Sequence, residues 1–193
     1  MLAYNEYDRI KKLLKEEKFD ELEAYIDNLC DKAYLELARK ALSEYATRYE
    51  YYGYTNEGKL LLTNYYTAFR LNDDKILTSY RRDRLKKGIN CIEPDKIEKI
   101  DNIMNLALES EKIKVGKIVK DTGDDLEKYY KVSSIDGSII ATYRVVLFDY
   151  LEKFLGRDVT YTLSTHQNAT DIYTCVGSSD KGTGIILPVK VKK

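Results

Sequence analysis

Gly184-Ile185-Ile186-Leu187-Pro188-Val189-Lys190-Val191-Lys192-Lys193 is an apolar strand pattern with a proline inside it, running into a basic tail. Terminal segments are usually loose and polar, and proline in a strand belongs at an edge or an end. The pattern therefore predicts a strand over Gly184–Val191 docked on the edge of a sheet. Immediately before it, Asp158–Ser164 and Asp171–Val176 read as two more strands. Ahead of them, Val146, Leu147, Tyr150, Leu151 and Phe154 recur at helical spacing, with Gly156 placed as the C-terminal cap. Tyr129–Ile135 and Ser138–Tyr143 form a strand pair around Asp136-Gly137, a strong hairpin signal.

The first half repeats this order of helix then meander. Leu35, Ala38, Ala41, Leu42, Tyr45 and Ala46 make a helical stripe. Strands follow at Tyr51–Tyr54, Lys59–Thr63 and Thr67–Leu71, with Asn56-Glu57-Gly58 as a turn. Before the stripe lie two shorter helical patterns. Tyr7, Ile10, Leu13 and Leu14 carry the first; Leu22, Tyr25, Ile26 and Leu29 carry the second, opened by Asp20 as N-cap with Glu23 completing a capping box. Asp31-Lys32 reads as a polar break between the second and third helices. In the middle, Pro94 opens a helix through Ile97, Ile100, Met104 and Leu108, Glu111–Val119 is strand-like, and Asp121–Asp125 is a loop. The fold class is α+β, and the repeated unit favours two subdomains, 1–90 and 91–193.

Composition narrows the function classes. Lys+Arg and Asp+Glu are equal at 32 each, so no global charge draws the 193-residue chain to nucleic acid. No stretch has the apolar length of a membrane span or a signal-peptide core. Three widely spaced cysteines (Cys30, Cys91, Cys175) suit reduced thiols in a cytoplasmic protein. Eighteen Tyr stand against four Phe and no Trp; a tyrosine-rich contact surface and a plain coding bias both account for that. Ser79–Lys87 packs five positive charges against one negative, either a phosphate-binding patch or a solvated helix face.

Catalytic and cofactor signatures are absent from this reading. His166 is the only histidine, and it lies in a polar turn without a Cys or carboxylate pair at ligand spacing. Asp121, Asp124 and Asp125 lack the alternating ligands of a calcium loop. Gly177–Gly184 resembles a phosphate loop in composition only, since it joins two strands rather than a strand and a helix. The expectation is a non-enzymatic protein with no cofactor and no metal.

Two segments carry a family resemblance. Tyr143-Arg-Val-Val-Leu-Phe-Asp-Tyr-Leu-Glu-Lys-Phe-Leu155, with the strand Asp158–Leu163 and the closing Gly184-Ile-Ile-Leu-Pro-Val-Lys190, resembles the last helix and strands of bacterial DNA polymerase sliding clamps. Glu57-Gly-Lys-Leu-Leu-Leu-Thr-Asn-Tyr-Tyr-Thr-Ala-Phe-Arg-Leu71 resembles a clamp strand–turn–strand segment. It departs from that segment at Asn64-Tyr65, where Asp-Gly is usual, and in the placing of Phe69-Arg70. The resemblance implies a reduced, phage-type clamp: two clamp-like helix-plus-antiparallel-meander subdomains with extra N-terminal and central helices, self-assembled around duplex DNA. It implies a partner-peptide pocket at Leu187, Pro188, Val189 and Lys190 with Tyr150 and Phe154 as walls, receiving a polymerase or another replication protein. It implies non-specific DNA contacts, for which Arg39, Lys40 and Arg48 on the third helix and Arg81, Arg82, Arg84, Lys86 and Lys87 are the candidates. The alternative is a phage-encoded interaction or inhibitor protein that binds a host factor through a Tyr-rich surface without encircling DNA.

Overall fold

The computed structural model describes residues 4–46, 51–64, 66–88, 91–121, 129–156, 158–166 and 169–188. The chain divides into two compact units, Met1–Leu37 and Ala38–Lys193. Two helices occupy the first: α1 (Tyr4–Lys15) and the start of α2 (Phe19–Ala46). The turn between them is a Schellman motif. Glu17 N–H donates to Leu14 O at 3.2 Å and Lys18 N–H to Leu13 O at 3.0 Å. Glu17, at φ 55°, takes the left-handed position usually held by glycine. Two expectations are corrected here. Asp20 lies inside the first turn of α2 rather than capping it, where its charge still suits the helix N-terminus. Asp31-Lys32 does not break the helix, because neither residue removes a backbone donor or constrains φ as proline would.

Among the described residues, nine strands form the sheet of the second unit: β1 (Tyr51–Tyr54), β2 (Leu60–Thr63), β3 (Thr67–Leu71), β4 (Lys112–Asp121), β5 (Tyr129–Ser134), β6 (Ile140–Arg144), β7 (Thr160–His166), β8 (Ala169–Ser179) and β9 (Gly182–Ile186). Their order is β1-β2-β3-β9-β8-β7-β4-β5-β6, and every neighbouring pair is antiparallel. Three further helices are α3 (Ser79–Lys86), α4 (Pro94–Glu109) and α5 (Val145–Leu155). The α+β class is thus observed, with five helices and one continuous antiparallel sheet among the described residues. Gly58 and Gly137 sit at φ 77° and 71° in the turns their sequence context predicts.

The closing strand is not where the sequence placed it. β9 ends at Ile186, and it lies between β3 and β8 rather than at an edge. An interior strand needs an N–H on both sides, so a proline within it would leave a ladder bond unmade. Pro188 accordingly follows the strand. Residues 189–193 lie outside the described residues, as do 122–125 of the expected acidic loop.

Both faces of the sheet centre are covered. Leu61, Ala68, Val176 and Ile185 pack on one face with Met104 and Ala107 of α4. Gly177 and Gly184 are one residue out of phase and so face the opposite way, against Leu151 and Leu155 of α5 and Phe69. A Cβ on Gly184 would stand 2.5 Å from Leu151 Cδ2 and 2.7 Å from Phe69 Cδ1, so the absence of a side chain lets α5 approach. Arg70 fastens the other face, its Nη1 donating to Asp101 Oδ1 at 2.8 Å and Asn105 Oδ1 at 2.7 Å on α4. β4 bends between two partners: Lys112–Lys114 pair with β7, and Val115–Asp121 with β5. The register shifts at Gly116, where a Cβ would meet Ile135 Cα at 2.7 Å.

Two substitutions test these backbone constraints. Gly182 sits at φ 150° with a virtual Cβ 2.3 Å from Arg70 O. Gly182→Ala is expected to cost roughly 2–4 kcal/mol in urea unfolding, since strain and overpacking coincide; a loss below the error of the fit would refute the close approach. Glu17→Gly is expected to raise stability by about 0.5–1 kcal/mol by relieving the left-handed residue, and a decrease would contradict the turn.

Candidate functional site

The end of β9 is the first candidate. Leu187 and Pro188 are half-buried, and Leu187 N–H donates to Tyr66 O at 3.0 Å. Tyr66, 58% exposed, therefore stands beside them in the turn between β2 and β3. That turn is built by Asn64. Its Oδ1 accepts from Tyr66 N at 2.9 Å, Thr67 N at 2.8 Å and Thr67 Oγ1 at 2.9 Å, which is the self-bonding Asx geometry that suits Asn to turns. The departure from Asp-Gly at this point thus comes with its own means of turning the chain. Tyr66 is a surface residue the sequence reading did not single out; a tyrosine in a tight polar turn was the available signal.

Tyr150 and Phe154 belong to the core. Phe154 is fully buried, meets Phe69 edge-to-face at 4.8 Å and stacks with Tyr150 at 5.8 Å. They fix α5 on β3 and present little surface. Val189 and Lys190 lie outside the described residues.

The basic candidates gather around one loop. Thr78 caps α3, its side chain accepting from Arg81 N–H. Arg82 Nε lies 3.1 Å from Asp74 Oδ2, and Arg82 Nη2 donates to Asp74 O at 3.1 Å. Arg39 Nη2 donates to Lys75 O at 2.9 Å. The loop through Asp74-Lys75 thus brings Arg39 of α2 and Arg82 of α3 together, which their separation in the chain does not suggest. Arg84 bonds Tyr80 OH at 3.1 Å with its guanidinium over the Tyr80 ring. Lys40, Lys86 and Lys87 are exposed, Arg81 is half-exposed, and Arg48 lies outside the described residues. Arg82 and Arg84 are committed to partners within the fold, so the positive charge open to a phosphate is smaller than the count in the sequence.

Aromatic rings form a second cluster that the sequence reading left unassembled. Phe148 lies 4.8 Å from Tyr130 and 5.2 Å from Tyr161, ring centre to ring centre. Burial first, and then the neighbouring carboxylates of Asp149 and Glu152, push the Tyr130 phenol up. Burial, followed by Glu152, pushes Tyr161 up as well. An electron-rich ring attracts cations, and here Lys120 already stands 5.7 Å over Tyr130. Cys175 is fully buried, and burial pushes its thiol up to about 12, so it packs as a small hydrophobe. His166 is the last residue of β7. Among the described residues no group of His, Cys, Asp and Glu is placed to hold a metal, and no helix is long and apolar enough to cross a membrane.

Tyr54 links the basic loop to the sheet. Its hydroxyl donates to Asp74 Oδ2 at 2.7 Å. Burial first, then the Asp74 hydrogen bond, pushes its phenol up to about 12. The fold holds the neutral form, so this stabilisation is complete below the unfolded tyrosine value of ~10 and fades as pH rises from there towards 12. Urea unfolding from pH ~9 to ~12 should therefore show a steeper loss for the native chain than for Tyr54→Phe; matching slopes would remove Tyr54 from the linkage. In comparisons with known proteins, no family model, no curated protein and no solved structure matches the chain.

Proposed function

We propose that this is a non-enzymatic docking protein, and that its activity is that of a reduced sliding clamp holding a replication partner on duplex DNA. The observation that carries the reading is the strand order. Two helix-associated meanders, β1–β3 and β7–β9, meet through the β3–β9 pair in one sheet, the continuity a ring built from sheet-backed subdomains requires. In this reading the subdomains are 1–90 and 91–193, and several copies complete the ring. Leu187, Pro188 and the exposed Tyr66 offer the docking surface; Tyr150 and Phe154, expected as its walls, are buried in the core. Arg39, Lys40, Arg81, Lys86 and Lys87 supply phosphate contacts of the sequence-independent kind.

A second reading has its own observation. Arg82 is paired with Asp74 and Arg84 with Tyr80, and total charge is balanced. That economy of free charge favours a protein that binds another protein through its tyrosine-bearing surface without encircling DNA.

Retention on plasmid DNA separates the two. A clamp is expected to stay on closed circular duplex through a gel-filtration column and to run off once the same plasmid is cut at one site. Arg81→Glu with Lys86→Glu and Lys87→Glu should lower the retained fraction at low salt. Equal elution from circular and linear DNA would sink the clamp reading and leave the protein-binding one.

A further inference from the structure

We propose that the hairpin of α1 and the first part of α2 is a self-association surface whose occupant is the same hairpin of a second copy. This goes beyond the clamp reading and does not depend on DNA. The argument starts from residue spacing. Tyr7, Ile10 and Leu14 are three and four apart on α1. Phe19, Leu22, Ile26, Leu29 and Ala33 alternate three and four along α2, the seam of a helix that packs on other helices.

One neighbour does not cover that seam. Within Met1–Leu37, the buried side chains among the described residues are Leu13 and Leu22. Tyr7 stays 50% exposed, Leu14 49%, Phe19 62% and Ile26 41%. Two buried leucines hide little of the apolar surface these helices carry, and small segments with so little core gain stability by association. The apolar stripe of α2 is only partly covered, since Leu22 is hidden while Phe19 and Ile26, at the same seam, are not.

Charge selects the occupant. α1 carries four basic residues to two acidic, and α2 from Phe19 to Leu37 carries six acidic to one basic. Lys11 and Lys15 flank the Tyr7–Leu14 stripe, and Glu23 and Asp27 flank Phe19–Ile26. A second hairpin related by a twofold axis lays each α1 along the other copy's α2. Basic flanks then face acidic flanks twice, and Tyr7, Leu14, Phe19 and Ile26 of each copy are covered together. A partner of uniform charge satisfies one helix and repels the other.

The test is the solution mass of the full chain by sedimentation, with no DNA present. Twice the 22.4 kDa of one chain is expected at high concentration. Ile26→Glu with Phe19→Lys should raise the dissociation constant at least tenfold. Should that variant lose its helical circular dichroism, a charge exchange keeps the test decisive. Lys11→Glu with Lys15→Glu, and separately Glu23→Lys with Asp27→Lys, should each weaken self-association, and mixing the two variants should restore it as a hybrid dimer. A chain that stays at single mass up to about 1 mM, the weak end of specific association, overturns the proposal. So does a dimer indifferent to both sets of substitutions, or a mixture no tighter than its components.

Discussion

The pairing of β9 with β3 on one side and β8 on the other is the constraint on which the rest of the second unit depends. It joins strands drawn from both halves of the chain into one hydrogen-bonded surface. It also sets the register that brings Gly184 opposite Phe69 and Gly182 opposite Leu71. Those glycines matter because the neighbours are close: Leu151 of α5 occupies the space a side chain at Gly184 would take. The helix is seated by what β9 lacks. On the other face, Arg70 reaches from β3 to Asp101 and Asn105, so a charge-assisted contact and an apolar layer clamp α4 to the same strands.

Much of this was legible from residue patterns. The hairpin at Asp136-Gly137, the helix opened by Pro94 and the Gly156 end of α5 are local signals, each with its own stereochemistry, and each holds. What failed depended either on partners far away in the chain or on polar residues whose composition fits both a helix and its end. Pro188 suggested an edge strand because the run Ile185–Leu187 contains no information about the strands on either side. The polar pair Asp31-Lys32 suggested a break because a solvated turn of helix and an interhelical link share the same composition. Gly116 in β4 gave no sign that the strand would bend there and serve two partners, since the glycine acquires that meaning only from the Ile135 backbone packed against it.

The candidate surfaces illustrate the same division. Leu187 and Pro188 could be singled out from sequence, but Tyr66 joins them only through a backbone bond across the β2–β3 turn. The basic run of α3 was conspicuous, yet its meaning changed once Asp74 was seen to bind both Arg82 and the Tyr54 hydroxyl. A charge that already has a carboxylate partner is worth less to a phosphate than its formal value, because the existing pair must be broken first. Tyrosine abundance likewise divides into structural and surface roles. Tyr143 is buried and bonds Tyr173 O, whereas Tyr66 and Tyr80 face outward.

The β3–β9 ladder has a kinetic side. Thr67 pairs with Ile186 across more than a hundred intervening residues, and that closure entropy is lost before any ladder bond forms. Contacts of such separation slow the search for the native topology. Until β9 arrives, β3 has an open edge, and the apolar faces of Ala68 and Phe69 lack their neighbours. The same central strand that makes the finished sheet continuous is the last of the nine in the chain, so the edge of β3 stays unpaired until it docks, and an unpaired edge is where a folding chain aggregates.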